Sequence, residues 1–86
     1  MAEIHAEIRA TIWGTHDAWS LAQGSSTPEG PTETRVHLTL REGNAGYVLL
    51  QSPDGFFTAD TWHATLADAL ETAQRCFGVG PQDWHE

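Results

Sequence analysis

Lysine is absent from the 86-residue sequence, and only four arginines oppose its twelve acidic residues. The formal net charge is therefore −8. This charge repels the phosphate backbone of nucleic acids, because proteins that bind nucleic acids neutralise phosphates with basic side chains. We expect neither nucleic acid nor an anionic membrane surface as a partner. An acidic surface can serve solubility alone, and it can also steer a basic protein partner into contact.

Cysteine is almost as scarce, since Cys76 is the single one. An internal disulfide is therefore excluded, as is usual for proteins of a reducing compartment. No apolar run reaches the ~18 residues that a membrane-spanning helix needs. The first ten residues carry acids instead of the apolar stretch of a signal peptide. We predict a cytoplasmic protein that forms a single domain over residues 1–86, with a thin core.

Strands are predicted where apolar and polar residues alternate. Residues 4–13 have isoleucine or alanine at every even position, which indicates a strand with one buried face. Residues 18–23 form a short return strand in an alternative assignment. Residues 24–34 contain two prolines, two glycines and many hydroxyl side chains, and this composition predicts a flexible loop. The predicted strands lie at about 4–13, 35–42, 47–52 and 56–62, with 18–23 as the fifth.

One helix is predicted over residues 66–77. Thr65 has the position of its N-cap, and Asp68 can reach back to complete a capping box. Gly78 is suited to the left-handed residue that ends a helix, and a C-terminal tail, 78–86, follows. Apolar residues recur at helical spacing, so that one stripe faces the sheet. The predicted fold class is α+β, an antiparallel β-meander of four or five strands with one C-terminal helix packed on one face.

Candidate metal ligands and nucleophiles do not form a recognisable motif. A structural zinc site needs four ligands in a tetrahedron, and none of the histidines is spaced for such a site with another ligand. Cys76 lies at the C-terminal end of the helix, whereas reactive thiols favour the N-terminal end. We predict no metal, no cofactor and no enzymatic activity. The histidines are His5, His16, His37, His63 and His85.

Four tryptophans are many for a chain of this length, and tryptophan is enriched at the centres of protein interfaces. Trp13 falls on the polar face of the first strand. If Trp13 and Trp19 pair across a hairpin, they form an exposed apolar patch. Together with Arg41, they are the predicted contacts for a partner.

The other two tryptophans are predicted to be structural. Trp62 precedes the helix cap by three residues and is expected to pack against the start of the helix. Trp84 is expected to fold back and cover Phe77 in the last helical turn. Thr65, Asp68 and Gly78 complete the predicted structural residues.

The C-terminal third of the sequence resembles a group of short uncharacterised bacterial proteins. Like them, it has Asp-Thr-Trp-His at 60–63, a Leu-x-x-Ala helix, Phe-Gly-Val at 77–79 and Asp-Trp at 83–84. More distantly, residues 54–73 are similar to the strand-to-helix segment of HicB-type antitoxins, in which a small antiparallel sheet with a packed helix masks a basic ribonuclease toxin. The chain departs from those antitoxins because it has no Pro-x-x-Pro-Gly turn before the helix and no DNA-binding tail.

We therefore expect a non-enzymatic protein-binding or accessory domain that acts through an acidic sheet face or an exposed strand edge. An immunity- or antitoxin-like inhibitor of a basic toxin is one specific form of this function. A second class is a self-associating structural module that dimerises through a sheet edge. A third class is a metal or small-molecule binder that uses the histidines.

Overall fold

The computed structural model describes residues 3–15, 18–21 and 31–86. It shows an antiparallel sheet of five strands with a single α-helix on one face, which confirms the predicted α+β class. A turn of 3₁₀-helix, Pro81–Asp83, lies in the C-terminal tail. The elements are β1 (Glu3–Thr15), β2 (Ala18–Ser20), β3 (Pro31–Glu42), β4 (Tyr47–Pro53), β5 (Ala59–His63) and α1 (Leu66–Phe77).

The strands follow the order β2-β1-β3-β4-β5 across the sheet. Strands β1, β3, β4 and β5 form a meander, and β2 is a short strand that pairs with the end of β1 on the outer edge. The pairing of Ala6 with Leu38, and of Leu40 with Leu49, places apolar residues of three strands side by side. The sheet therefore has one apolar face, which carries the core, and one open face.

Several strands have bounds that differ from the sequence pattern. β3 begins at Pro31 instead of 35, because residues 31–34, which the composition had placed in a loop, pair with residues 10–13 of β1. β5 begins at Ala59 instead of 56, because the Phe56 amide donates to the Pro53 carbonyl at 3.1 Å and closes a turn. The short strand is limited to Ala18–Ser20. Positions 22–30, and with them most of the predicted loop, lie outside the described residues.

The core lies between the apolar sheet face and α1, which packs over β4 and β5. The helix touches the sheet through two fully buried alanines, Ala69 and Ala73. Leu66, Leu70 and Phe77 flank them and are partly buried against the core. The buried apolar residues are Ala6, Ile12, Val36, Leu38, Leu40, Leu49, Ala69, Ala73 and Val79.

The two ends of α1 are formed by local hydrogen bonds. At the start, the Thr65 hydroxyl accepts from the Asp68 amide at 3.1 Å, as expected of an N-cap. At the end, Gly78 adopts a left-handed φ of 72°. Its amide donates to the Gln74 carbonyl at 2.8 Å. These caps fix where the chain leaves the helix and turns back toward β1.

Candidate binding groove

An apolar groove runs between one flank of α1 and the C-terminal tail. It encloses about 430 Å³, within the size range of small-molecule sites and large enough for one or two apolar side chains. Two polar residues of the helix, Glu71 and Gln74, contribute to its wall. The apolar lining consists of Ile4, Ala67, Leu70, Val79, Pro81 and Trp84.

The groove exists because α1 covers only part of the apolar sheet face. The small side chains of Ala69 and Ala73 allow the helix to lie close to β4 and β5. The apolar side of Ile4, on β1, is then left beside the helix instead of beneath it. Residues 67, 70, 71 and 74 are three or four apart, so they form one side of the helix and face this gap.

The tail forms the opposite wall, and backbone hydrogen bonds hold it in place. His5 and His85 exchange two bonds, with the His5 amide donating at 2.7 Å and the His85 amide at 2.9 Å. The Gly80 amide donates to the Asp83 carboxylate at 2.8 Å and stabilises the turn between them. Val79, only 1% exposed, anchors the start of the tail in the core.

Trp84 is partly buried against the core. It lines the groove with Ile4, Leu70 and Val79, and Phe77 is not part of that lining. The residue that closes the end of the helix is Val79. The sequence analysis missed its role, although Val79 is the only large apolar residue between Gly78 and Pro81.

The expected packing of Trp62 against the start of the helix is wrong. Trp62 pairs with Val48 in the register of β4 and β5, and its side chain lies on the open face, 60% exposed. It crosses closely over Gly46, where an added Cβ would lie 2.7 Å from Trp62 Cζ2. Gly46 therefore permits this position of the indole.

The arginines of the strands all lie on the open face, and each has an acidic partner. Arg41 Nε donates to Glu3 at 2.8 Å. This hydrogen bond, with smaller contributions from the Arg41 and His5 charges, lowers the pKa of Glu3. Arg41, predicted as a partner contact, is thus engaged within the chain. The other two ion pairs are Arg35–Glu7 at 3.1 Å and Arg9–Glu33 at 3.3 Å.

These pairs explain how Arg9 and Arg35 can lie directly opposite each other in the sheet. Like charges in opposed positions destabilise a strand pair. Here each guanidinium contacts an acid displaced along the strand, which compensates the repulsion. The expectation of an acidic open face is therefore wrong for the β1–β3 region, where acids and arginines alternate.

The predicted patch of Trp13 and Trp19 does not form. The hairpin pairs Gly14 with Trp19 and Trp13 with Ser20, so the two indoles lie on opposite faces of the sheet. Trp19 packs against the core, and its Nε1 donates to the Phe57 carbonyl at 2.9 Å. Trp13 is partly buried. Of the two tryptophans, neither is an exposed contact residue.

A second polar arrangement joins β5 to the start of α1. His63, 7% exposed, has Nδ1 2.7 Å from Asp68 Oδ2 and Nε2 2.8 Å from Thr61 Oγ1. Gln51 Nε2 donates to the same Thr61 oxygen at 3.3 Å. Because a carboxylate only accepts, Nδ1 donates to Asp68, and in the neutral imidazole Nε2 then accepts from the Thr61 hydroxyl. Asp68 therefore binds His63 in place of the predicted capping-box bond.

Ala59, Thr61 and His63 alternate toward the core side of β5. This alternation is the sequence signal from which the network could have been predicted. The hydroxyl–imidazole–carboxylate order resembles a catalytic triad. However, none of its members lines the groove. Every buried side-chain polar atom in the described part of the chain has a hydrogen-bond partner. The network therefore has a structural role, because it connects β5 to the N-terminus of the helix.

The described residues contain no group of three or more side chains arranged to hold a metal ion. His5 and His85 lie with ring centroids 6.3 Å apart, without a third ligand. None of the described segments forms a helix with the length and apolar character needed to cross a membrane. Comparison of the chain with protein-family models, curated proteins and solved structures gives no match.

Proposed function

We propose that this chain is a non-enzymatic protein-binding module whose groove receives apolar side chains of a partner protein. The groove carries this proposal, because its walls are apolar and its two polar residues lie on the helix side. Concave apolar sites with few polar groups are where binding is usually concentrated. Trp84 adds the residue type most enriched at binding hot spots.

The partner in this proposal has a basic surface. The chain carries a net charge of −8, and the groove lining includes Glu71 but no basic residue. Arg75 lies 3.8 Å from Glu71, and both side chains are about 70% exposed, so this pair neutralises Glu71 only weakly. Opposite charges accelerate association with a basic partner. An immunity- or antitoxin-like inhibitor of a basic toxin is the specific form that this charge favours.

The absence of catalysis is part of the proposal. Of the titratable side chains, only Glu71 lines the groove. The triad-like hydroxyl of Thr61 belongs to a separate network that holds the start of α1. A nucleophile and a base in contact with a bound substrate are what hydrolytic chemistry requires, and the groove offers the Glu71 carboxylate without a hydroxyl, thiol or imidazole beside it.

Site-specific photo-crosslinking tests the proposal. A photoreactive residue at Gln74, on the groove wall, is used to capture partners from cells of the natural source, and the same residue at Thr39, on the open face, is the control. We expect a basic protein captured from Gln74 only. The captured protein is then purified and its affinity for the chain is measured by calorimetry at two salt concentrations.

A matched pair of variants assigns the contact to the groove. Ala67→Gln places a polar side chain in the lining, whereas Ala64→Gln makes the same change at an exposed position outside the lining. We expect Ala67→Gln to weaken binding at least about tenfold, the effect of a lost apolar contact at a hot spot. Equal affinities of the two variants, or binding that strengthens with salt, would refute the proposed site.

A small apolar molecule is a second candidate occupant, favoured by the volume of about 430 Å³. Binding of an apolar solvatochromic dye tests this function. It is compared between the unaltered chain and Ala67→Gln, whose longer side chain blocks the groove. Equal dye binding by the unaltered chain and by Ala67→Gln excludes this second function.

A further inference from the structure

The open face consists of side-chain rows that cross four strands. One row contains Glu3, Arg41, Val48 and Trp62, and the next contains His5, Thr39, Leu50 and Asp60. Each row begins with polar residues on β1 and β3 and reaches apolar ones on β4. A charged half and an apolar half therefore lie side by side on one surface.

The apolar half consists of Val48, Leu50 and Trp62. Val48 and Leu50 are partly buried, and Trp62 is 60% exposed. A tryptophan so exposed on a regular strand leaves much apolar surface in water, and such surface is typical of interaction sites. The indole lies against the backbone of Gly46, immediately before β4.

The charged half is almost neutral, in contrast to the rest of the chain. Four acids of this half, one of them Asp54 with its carboxylate 3.4 Å from His37, oppose three arginines there, which leaves −1 of the net charge of −8. A basic partner is therefore not attracted to this face. For a second copy of the same acidic chain, this face is the approach with the least repulsion. The four acids are Glu3, Glu7, Glu33 and Asp54, and Asp60 on β5 adds one further acid to the face beside Trp62.

We propose that two copies of the chain associate through their open faces. The apolar half of each copy covers that of the other across a two-fold axis, and the helices lie on the two outer sides. The four strands have 13, 12, 7 and 5 residues. At ~3.4 Å per residue and ~4.8 Å between strands, they give a face of about 600 Å² per copy. Such an area is at the lower limit of specific interfaces, so the dimer is weak and reversible.

This dimer differs from pairing through a sheet edge, and it leaves both grooves open. The grooves are on the helix side of the sheet, so a dimer presents two of them to separate partners. The inference does not depend on the proposed function of the groove.

Analytical ultracentrifugation over concentrations up to about 1 mM tests the dimer, because an interface of this size is expected to be weak. We expect reversible dimerisation that strengthens with salt, since salt screens the repulsion between two acidic chains. Trp62→Ala should weaken it at least about tenfold. Phe57→Ala, which removes an aromatic side chain that is 40% exposed outside this face, is the control and should leave it unchanged.

If Trp62→Ala fails to fold, a distance measurement between spin labels on the unaltered sequence tests the dimer instead. Cys76 is exposed on the helix and can carry a spin label. With sheets ~10 Å apart and a helix of ~10 Å diameter outside each, the two labels should be roughly 30 Å apart or more. A monomer at all concentrations, unchanged dimerisation in folded Trp62→Ala, or a label separation below about 20 Å by the same geometry would each overturn the proposal.

Discussion

Replacing Trp84 by alanine tests whether the C-terminal tail is part of the folded core. Trp84 packs against the core and lines the groove with Ile4 and Leu70. The tail around it is otherwise held by the two backbone hydrogen bonds between His5 and His85. Loss of the indole should therefore loosen this end of the sheet as well as remove apolar contacts.

The expected magnitude follows from the burial of the indole. Covering roughly 100 Å² of its apolar surface at about 25 cal/mol per Å² contributes about 2.5 kcal/mol. For a domain of this size, 1 kcal/mol corresponds to about 4–8 °C in the melting temperature. We therefore expect Trp84→Ala to lower the melting temperature by about 10 °C or more.

Thermal unfolding followed by circular dichroism is the assay, and Trp62→Ala is the matched control. Trp62 is 60% exposed, so the same substitution there should cost less than about 1 kcal/mol. Both variants are measured at low concentration, where the proposed dimer is dissociated. If Trp84→Ala melts within about 2 °C of the unaltered chain, or if Trp62→Ala is the more destabilised variant, the assignment of the tail to the core is refuted.

Three further substitutions test contacts elsewhere. Gly46→Ala should cost about 1–3 kcal/mol in urea unfolding, because its Cβ would lie 2.5 Å from the His63 carbonyl oxygen and 2.7 Å from Trp62 Cζ2; an unchanged midpoint contradicts this. His63→Phe removes both imidazole hydrogen bonds and should cost about 1–3 kcal/mol, whereas an equal or higher stability would exclude a structural role. Arg41→Ala should raise the pKa of Glu3 in carbon-detected NMR titrations. Since the pKa of Glu3 is lowered in the fold, the pair stabilises the fold above the unfolded-state pKa, and this contribution disappears as the pH falls through the folded-state pKa. A pKa that stays low in the variant would assign the shift to another group.

Much of the fold could be predicted because one sheet face and one helix stripe are buried. Period-two alternation in 4–13 identifies β1 without knowledge of its partner, and Thr65 and Gly78 mark the helix ends through local chemistry. Strand ends were less accessible to prediction. The polar residues 31–34 are in a strand because residues 10–13 of β1 pair with them.

The tryptophans show why the site was harder to predict. Whether an indole on a strand faces the core depends on register, and one residue of offset reverses it. Trp13 and Trp19 are separated in this way by the hairpin that pairs Gly14 with Trp19. His63 faces the core, so the side chain of its neighbour Trp62 faces the opposite side of β5. The groove is even harder to predict from the sequence, because its lining comes from both ends of the chain.

The pairing of His5 with His85 has a consequence for biosynthesis. The ribosome delivers the first strand before the helix, but its partner in the tail emerges only after the helix has been translated. One wall of the groove is thus made last, and a product that terminates at the helix has no such wall. Competence to bind would then report that translation has passed the segment that carries Trp84 and His85.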